Sequence, residues 1–170
     1  MKGMVQVYTG NGKGKTTAAF GLALRAVGAG KKVYIAQFVK GMKYSELNSF
    51  AQLENVELKQ YGLKCFINDQ PNEDDIKAAK AGLIEVAEIL KSGEYEVVIL
   101  DEANIAVYYE LFSAAELIEV IDARDPGVEV VITGRKAAAE IIERADLVTE
   151  MKEIKHYYQE GIQARVGIEK

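Results

Sequence analysis

The amino-acid sequence predicts an α/β protein, in which a mostly parallel sheet of about six strands carries helices on both faces. Short β-rich runs alternate with helix-length segments along the whole chain. Residues 97–100 form a continuously apolar run, which is typical of a strand buried on both faces of a parallel sheet. The length of 170 residues suits one domain, so we expect a single domain over residues 1–170.

The first elements are a strand, a glycine-rich turn and a helix. Residues 5–8 alternate apolar and polar side chains, as a short strand does, and residues 9–15 form the turn. Residues 16–27 have a helical pattern that ends at Gly28. Residues 32–39 form a second β-rich run, and the helix-length crossover between the two strands suits parallel pairing.

The middle of the chain combines an irregular part with a long helix. Residues 41–55 show little regularity, residues 56–61 alternate as a third strand, and residues 62–71 are predicted to form a loop. Between residues 73 and 91, apolar side chains recur at the spacing of one helix face. We expect this helix to cover one face of the sheet.

The last third continues the alternation. Ser113 and Glu116 form a capping-box pattern that predicts a helix start. Residues 128–133 are predicted to form a strand, residues 137–145 a short helix, and residues 146–151 a last strand.

The composition excludes several classes of protein. Hydrophobic residues make up 49% and charged residues 28%, as in soluble globular proteins. The 21 Lys and Arg against 26 Asp and Glu give a formal charge of −5, so we expect no nucleic-acid partner. The single cysteine, Cys65, rules out an internal disulfide and a Cys/His zinc cluster. The sequence shows neither a signal-peptide pattern nor a membrane-length apolar run, so we expect a cytoplasmic protein without a membrane partner.

A phosphate-binding loop is the strongest functional motif. It consists of Gly10, Asn11, Gly12, Lys13, Gly14, Lys15, Thr16 and Thr17, between the first strand and the first helix. Glycines let backbone N–H groups converge on an anion, and the helix N-terminus favours negative charge. Lys15 would neutralise phosphate oxygens, and the Thr16 hydroxyl would reach magnesium, as in a P-loop NTPase-like fold. Three residues instead of the usual four separate Gly10 from Gly14, so we expect an altered cradle.

Two carboxylates directly follow the apolar run at residues 97–100. Asp101 and Glu102 are therefore predicted to lie at the carboxyl end of a buried strand, beside the phosphate-binding loop. A carboxylate in that position can hold the metal ion that bridges nucleotide phosphates. The alternative is a solvated acidic pair at the start of a loop.

The remaining polar candidates give weaker signals. Among Arg25, Arg124, Arg135 and Arg144, Arg135 is the best placed for phosphate contact because it follows a predicted strand at the same sheet edge. The lone His156 is expected to be structural or solvated, and Cys65 to be a packing residue.

Nine stretches in a fixed order carry a broader pattern. They are residues 9–21, 25–28, 37–41, 98–102, 123–124, 131–135, 145–151, 155–156 and 167–169. Together they resemble the ATP-dependent corrinoid adenosyltransferases, which act on cob(I)alamin or cobyrinic acid a,c-diamide. This resemblance spans nearly the whole chain.

The resemblance implies a reaction and its participants. The loop would hold the triphosphate of ATP while the ribose C5′ is presented to the reduced cobalt of a corrinoid. Lys15, Thr16 and Glu102 would be catalytic, and magnesium would be held by Thr16 and Glu102, with Asp101 as an alternative or indirect partner. Arg25 and Arg135 would join the loop in contacting ATP. The family also implies a homodimer and an electron-donating flavoprotein as partner.

Two departures from the family concern the covering of the site. Members resembling its best-known form carry an N-terminal arm that caps the active site, whereas eight residues precede Thr9 here, so we expect the cap to be absent or built differently. Residues 62–68 are predicted to contact the corrinoid, with Phe66 as the first aromatic residue of that segment. The alternative role for Phe66 is packing of this loop against the core.

Two other functions use the same motifs. A nucleotide or small-molecule kinase would transfer the terminal phosphoryl group of ATP. A non-catalytic carrier would use ATP to order its loops around a corrinoid or a protein partner. The reaction product distinguishes all three functions.

Overall fold

The alternating pattern folds into one six-stranded sheet. The computed structural model describes residues 2–42, 44–63 and 70–169. The strands are β1 (Val5–Thr9), β2 (Val33–Phe38), β3 (Val56–Tyr61), β4 (Val97–Asp101), β5 (Glu129–Thr133) and β6 (Leu147–Glu150). Their order is β3-β2-β4-β5-β1-β6, and every neighbouring pair is parallel. The predicted fold class is confirmed, with a sheet that is wholly rather than mostly parallel.

Helices connect the strands and cover both faces of the sheet. They are α1 (Lys15–Gly28), α2 (Ser45–Phe50), α3 (Glu73–Ser92), α4 (Ala103–Tyr108), α5 (Ala114–Asp122) and α6 (Ala139–Arg144), and a 3-10 helix spans Tyr157–Glu160. The predicted capping box is present at α5, where Ser113 and Glu116 each accept a hydrogen bond from the other's backbone N–H. Sequence periodicity did not predict the six-residue helices α2 and α4, although it did predict a short helix at α6.

Two hydrophobic cores hold these layers together. One core joins the sheet to α3, α4, α5 and α6 through fully buried side chains such as Leu90, Leu117 and Ile141. The other joins the opposite face to α1 and α2 through Ala19, Phe20 and Phe50. Because both faces of the central strands are covered, β2 and β4 are buried at every residue, as the apolar run at residues 97–100 predicts for β4. No helix in the described ranges is long and apolar enough to cross a bilayer.

Candidate functional site

A cavity of about 1110 Å³ lies where the carboxyl ends of the strands meet the start of α1. Parallel sheets commonly place ligand sites at this edge, because the loops that follow the strands converge there. The phosphate-binding loop forms one wall through Gly12, Lys13, Gly14, Lys15, Thr16 and Thr17. Glu102 and Arg135 contribute from the ends of β4 and β5. The structure thus brings most of the predicted site residues together.

The backbone of the loop is shaped by its glycines. Gly10 and Gly14 have φ angles of 94° and 115°, which side-chain-bearing residues rarely adopt. A Cβ atom on Gly10 would lie 2.5 Å from the Met151 carbonyl oxygen, and the Gly12 N–H donates to that same oxygen at 2.7 Å. The loop therefore rests directly on the backbone that follows β6.

Lys15 is the buried cation of the loop. Its side chain folds back so that Nζ donates to the Gly12 carbonyl oxygen at 2.7 Å, and the residue is 7% exposed. Burial lowers the pKa of Lys15, and the positive charge of Arg135 acts in the same direction, while Glu102 and Asp101 oppose them. An anion in the cavity would offset both the burial and the repulsion, which suits a phosphate.

The side chain of Asp101 accepts four hydrogen bonds from other side chains around the site. Its Oδ1 accepts from the hydroxyls of Thr16 at 2.8 Å and Thr133 at 2.7 Å. Its Oδ2 accepts from Lys40 Nζ at 2.8 Å and Gln37 Nε2 at 3.2 Å. With four donors and no exposure, Asp101 is fixed in place and orients Thr16 rather than facing the cavity itself.

Glu102 is held in a strained backbone conformation. Its φ of 58° is in the left-handed region, and its N–H donates to Thr133 Oγ1 at 3.0 Å. Gly134 has a φ of 131° and packs closely beside Glu102. A Cβ atom on Gly134 would lie 3.3 Å from Glu102 Oε2 and 3.0 Å from the Asn104 Cβ, so a larger residue would crowd this carboxylate. Non-glycine residues with positive φ concentrate at functional sites, where the surroundings enforce them. The result is a carboxylate that lines the cavity.

The environment of Glu102 disfavours its negative charge. Burial raises the pKa of the Glu102 carboxyl, and the neighbouring charge of Asp101 adds to this effect, whereas Lys40, Lys15 and Arg135 lower it. A bound cation would stabilise the ionised form. The Thr16 hydroxyl and the Glu102 carboxylate are both oxygen ligands of the type that magnesium prefers.

The donor set therefore fits magnesium only together with ligands from outside the protein. Within the described part of the chain, no group of three or more His, Cys, Asp or Glu side chains could hold a metal ion. Magnesium usually keeps several waters and binds through one or two protein oxygens plus substrate phosphates. Thr16 and Glu102 match that pattern, and Asp101 matches an indirect partner.

The segment after β6 forms another wall of the cavity. His156, Gly167, Ile168 and Glu169 line it. Lys13 Nζ donates to the Ile168 carbonyl oxygen at 3.0 Å and lies 4.0 Å from Glu169 Oε1. The C-terminal part of the described chain therefore lies directly against the phosphate-binding loop.

Glu169 is anchored by its own neighbours. Arg165 donates to it through its backbone N–H, Nε and Nη2, and the Tyr157 hydroxyl donates as well. Hydrogen bonding by Arg165, followed by that of Tyr157, lowers the pKa of Glu169 to about 2. The carboxylate that faces Lys13 thus stays ionised.

The opposite part of the cavity is apolar. Phe20, Leu24, Phe50 and Leu53 line it, and the rings of Phe20 and Phe50 meet edge to face at 4.9 Å between centroids. Tyr44, Ile105 and Tyr109 continue this surface toward the carboxylates. A ligand with one highly charged end and one flat apolar end matches this division.

Several predicted residues take other positions. Gly10 and Asn11 belong to the loop outside the cavity lining, and Arg135 Nε donates to the Asn11 carbonyl oxygen at 3.4 Å. Arg25 lies exposed in the last turn of α1, where its charge acts on Tyr8, and the structure does not bring it to the cavity. Phe66, together with residues 64–68 of the predicted corrinoid segment, lies outside the described residues.

Sequence reasoning missed two residues that contact Asp101. Gln37 is the last but one residue of β2, and Lys40 follows that strand closely. Both belong to a stretch that contributes to the family resemblance, and β2 pairs directly with β4. The position of Lys40 just after a strand predicted to be parallel could have placed it at the same edge as Asp101.

Comparison of the sequence with known proteins assigns this chain to a family. The model of the family described as ATP:corrinoid adenosyltransferase BtuR/CobO/CobP matches residues 1–169. The chain belongs to the ATP:corrinoid adenosyltransferase family. This membership confirms the predicted adenosyl transfer from ATP to a corrinoid and the resemblance from which it came.

Individual members of the ATP:corrinoid adenosyltransferase family align with almost the whole of this chain. The corrinoid adenosyltransferase of Escherichia coli (strain K12) is 36% identical over 168 residues, covering 99% of this chain and 86% of that protein. Corrinoid adenosyltransferase CobA of Salmonella typhimurium (strain LT2) gives the same identity and coverage. The corrinoid adenosyltransferase of Pseudomonas aeruginosa is 37% identical over 170 residues, covering 99% of this chain and 84% of that protein.

Proposed function

We propose that the cavity holds ATP by its triphosphate and presents the ribose C5′ to the reduced cobalt of a corrinoid. The cobalt lone pair forms the new cobalt–carbon bond, the C5′–O bond breaks, and the triphosphate leaves with the electron pair of that C5′–O bond. No protein base or nucleophile takes part, so positioning and charge stabilisation are the tasks of the protein. The observation that carries this proposal is the convergence of Lys15, Thr16 and Glu102 at the charged end of a cavity whose other end is apolar.

Each residue at the charged end has a role in this proposal. Lys15 moves its ammonium from the Gly12 carbonyl to the phosphate oxygens, where its attraction grows as negative charge develops on the leaving triphosphate. Arg135 and the remaining loop residues contact the phosphates from the same side. Thr16 and Glu102 hold magnesium, which when bound screens the charge of the triphosphate, and Asp101 keeps the Thr16 hydroxyl oriented.

The apolar end excludes water from the reacting atoms. Phe20 and Phe50 offer ring surfaces on which a flat heterocycle packs. On the corrinoid side, we propose that residues 62–68 contact the corrinoid and that Phe66 supplies apolar area that excludes water from its lower face. Residues 167–169, which contact the loop, cover the nucleotide in this proposal.

The experiment that tests the function identifies the products. The protein is incubated with ATP, magnesium and cobalamin under strong reductant, and the corrinoid and the nucleotide products are analysed separately. Adenosylated corrinoid together with intact triphosphate supports the proposal. ADP with a phosphorylated acceptor would indicate a kinase instead, and binding without a new cobalt–carbon bond over many equivalents would indicate a carrier.

Lys15→Ala is the matched variant for this experiment. Losing a desolvated charge contact to the departing triphosphate costs on the order of 2–4 kcal/mol of transition-state stabilisation, or about 30- to 1000-fold in rate. Lys77→Ala removes an exposed lysine of α3 and serves as the control. Near-normal turnover of Lys15→Ala with an intact fold would contradict the phosphate role of Lys15.

We also propose the setting in which the enzyme works. It acts in the cytoplasm as a homodimer, and a flavoprotein supplies the electron that brings the cobalt of the corrinoid to the reactive Co(I) state. Sedimentation of the purified protein tests the dimer. Replacement of the chemical reductant by a reduced flavoprotein in the transfer assay tests the electron donor.

A further inference from the structure

The turn that follows β2 places a second lysine at the charged end of the cavity. Val39 has a φ of 59°, which is rare for a β-branched residue because its side chain crowds the backbone in that region. Lys40 comes directly after it, lines the cavity, and reaches Asp101 Oδ2 at 2.8 Å. Backbone strain of this kind is retained where the surrounding structure enforces it.

Backbone packing enforces this turn. A Cβ atom on Gly41 would lie 2.3 Å from the Leu63 carbonyl oxygen and 2.4 Å from that of Gly62. A Cβ on Gly62 would lie 2.5 Å from the Lys40 backbone nitrogen. Two stretches of main chain therefore touch without room for a side chain between them, and the position of Lys40 is set from outside the phosphate-binding loop.

Asp101 does not need Lys40 to satisfy its hydrogen bonds. Thr16, Thr133 and Gln37 already donate to its two oxygens. Those three donors remain if the ammonium of Lys40 turns away from Asp101. Because an ammonium has three N–H donors, Lys40 can also keep its bond to Asp101 while it donates to an oxygen atom in the cavity.

The charge of Lys40 is retained despite its surroundings. Its side chain is 16% exposed. Burial alone would lower the pKa of Lys40, but the charge and hydrogen bond of Asp101, aided by Glu102 and Glu46, outweigh it and raise the pKa. A desolvated ammonium that lines the same cavity as Lys15 attracts an incoming polyphosphate strongly.

We infer that Lys40 is a further catalytic residue, whose ammonium contacts oxygens of the triphosphate together with Lys15 and stabilises the triphosphate as it leaves C5′. This inference rests on the proposed function in taking the triphosphate as the group held at the charged end. The attraction strengthens when the C5′–O bond breaks, since the leaving triphosphate gains negative charge. Lys40 also lies against Gly62, at the start of the segment proposed to face the corrinoid.

The test measures binding of inorganic triphosphate by calorimetry, so it does not depend on turnover. Wild type, Lys40→Met and Lys40→Arg are compared, and Lys80→Met is the control. The side chain of Lys80 is 52% exposed, and its Nζ lies 3.7 Å from Glu116 Oε1. We expect Lys40→Met to weaken binding about 10- to 100-fold, both with magnesium and with a chelator present. Lys40→Arg should recover a large part of the loss, and Lys80→Met should bind like wild type.

A double variant separates direct contact from an indirect effect through Asp101. If Lys40 served only as the counter-ion of Asp101, Lys40→Met would add nothing to Asp101→Asn, and its effect would vanish in chelator. Either result overturns the inference, provided that thermal unfolding shows each variant to be folded. We expect the double variant to bind triphosphate about 10-fold or more weakly than Asp101→Asn alone. Failure of the wild type to bind triphosphate would overturn the proposed function as well.

Discussion

Thr133 links the two carboxylates, and its removal is the sharpest test of how the site is held. Its buried hydroxyl donates to Asp101 Oδ1 at 2.7 Å and accepts the Glu102 N–H at 3.0 Å. Thr133→Val keeps the shape of the side chain but removes both hydrogen bonds. Thr133→Ser keeps both bonds and loses one methyl group, so it is the matched control.

The expected loss of stability follows from those two bonds. The bond to the charged Asp101 is worth about 1.5 kcal/mol, at the low end for a charged group because three other donors remain. Leaving the Glu102 N–H without a partner costs about 1–2 kcal/mol more. Thr133→Val should therefore lower the free energy of unfolding by about 3 kcal/mol, against about 1 kcal/mol for the methyl group lost in Thr133→Ser.

The functional readout is the magnesium requirement of adenosyl transfer. Without Thr133, the Glu102 N–H loses the hydrogen bond that helps to fix its left-handed backbone, so the proposed metal ligand loses part of its orientation. Changes of this kind typically weaken metal affinity about 10- to 100-fold, so the magnesium concentration for half-maximal rate should rise accordingly. Urea unfolding and magnesium titration are measured on both variants. Equal stability and equal magnesium dependence of Thr133→Val and Thr133→Ser would refute this account.

Two further predictions concern other parts of the fold. Glu169→Gln should speed tryptic cleavage after Arg165, because it weakens the hydrogen bonds between Arg165 and residue 169. Glu160→Gln is the control, and equal cleavage rates of the two variants would contradict the anchoring role of Glu169. Burial raises the pKa of Tyr34 to about 12, so its neutral phenol contributes stability that is complete below about pH 10 and is lost as the pH rises through 12. Tyr34→Phe should reduce that alkaline loss in urea unfolding, and an unchanged slope for Tyr34→Phe would count against it.

Local sequence signals predicted the strands and the proposed phosphate site closely. The predicted strand at residues 56–61 coincides with β3, and the other strands agree within two residues. Apolar runs and alternation are local properties, so they can be read without knowing the tertiary fold. The phosphate-binding loop and the carboxylates at the end of β4 were visible for the same reason.

Other features depend on contacts between distant residues. Lys40 and Asp101 are 61 residues apart, and their ion pair forms only because β2 and β4 are neighbours in the sheet. The positive φ of Glu102 is enforced by Thr133 and Gly134, which no local propensity of glutamate indicates. The contact of Ile168 with Lys13 likewise spans 155 residues. Such arrangements follow from topology rather than from local pattern.

The weak burial of β6 has a consequence for how the cavity opens. All four of its residues are exposed, and this strand pairs with β1 alone at the edge of the sheet. Residues 151–169, which carry Ile168 to the loop, continue directly from it. In hydrogen exchange, β6 and this segment should therefore open as one unit at a much lower free energy than β4. Such an opening would leave β1 to β5 paired and would separate residues 167–169 from the phosphate-binding loop.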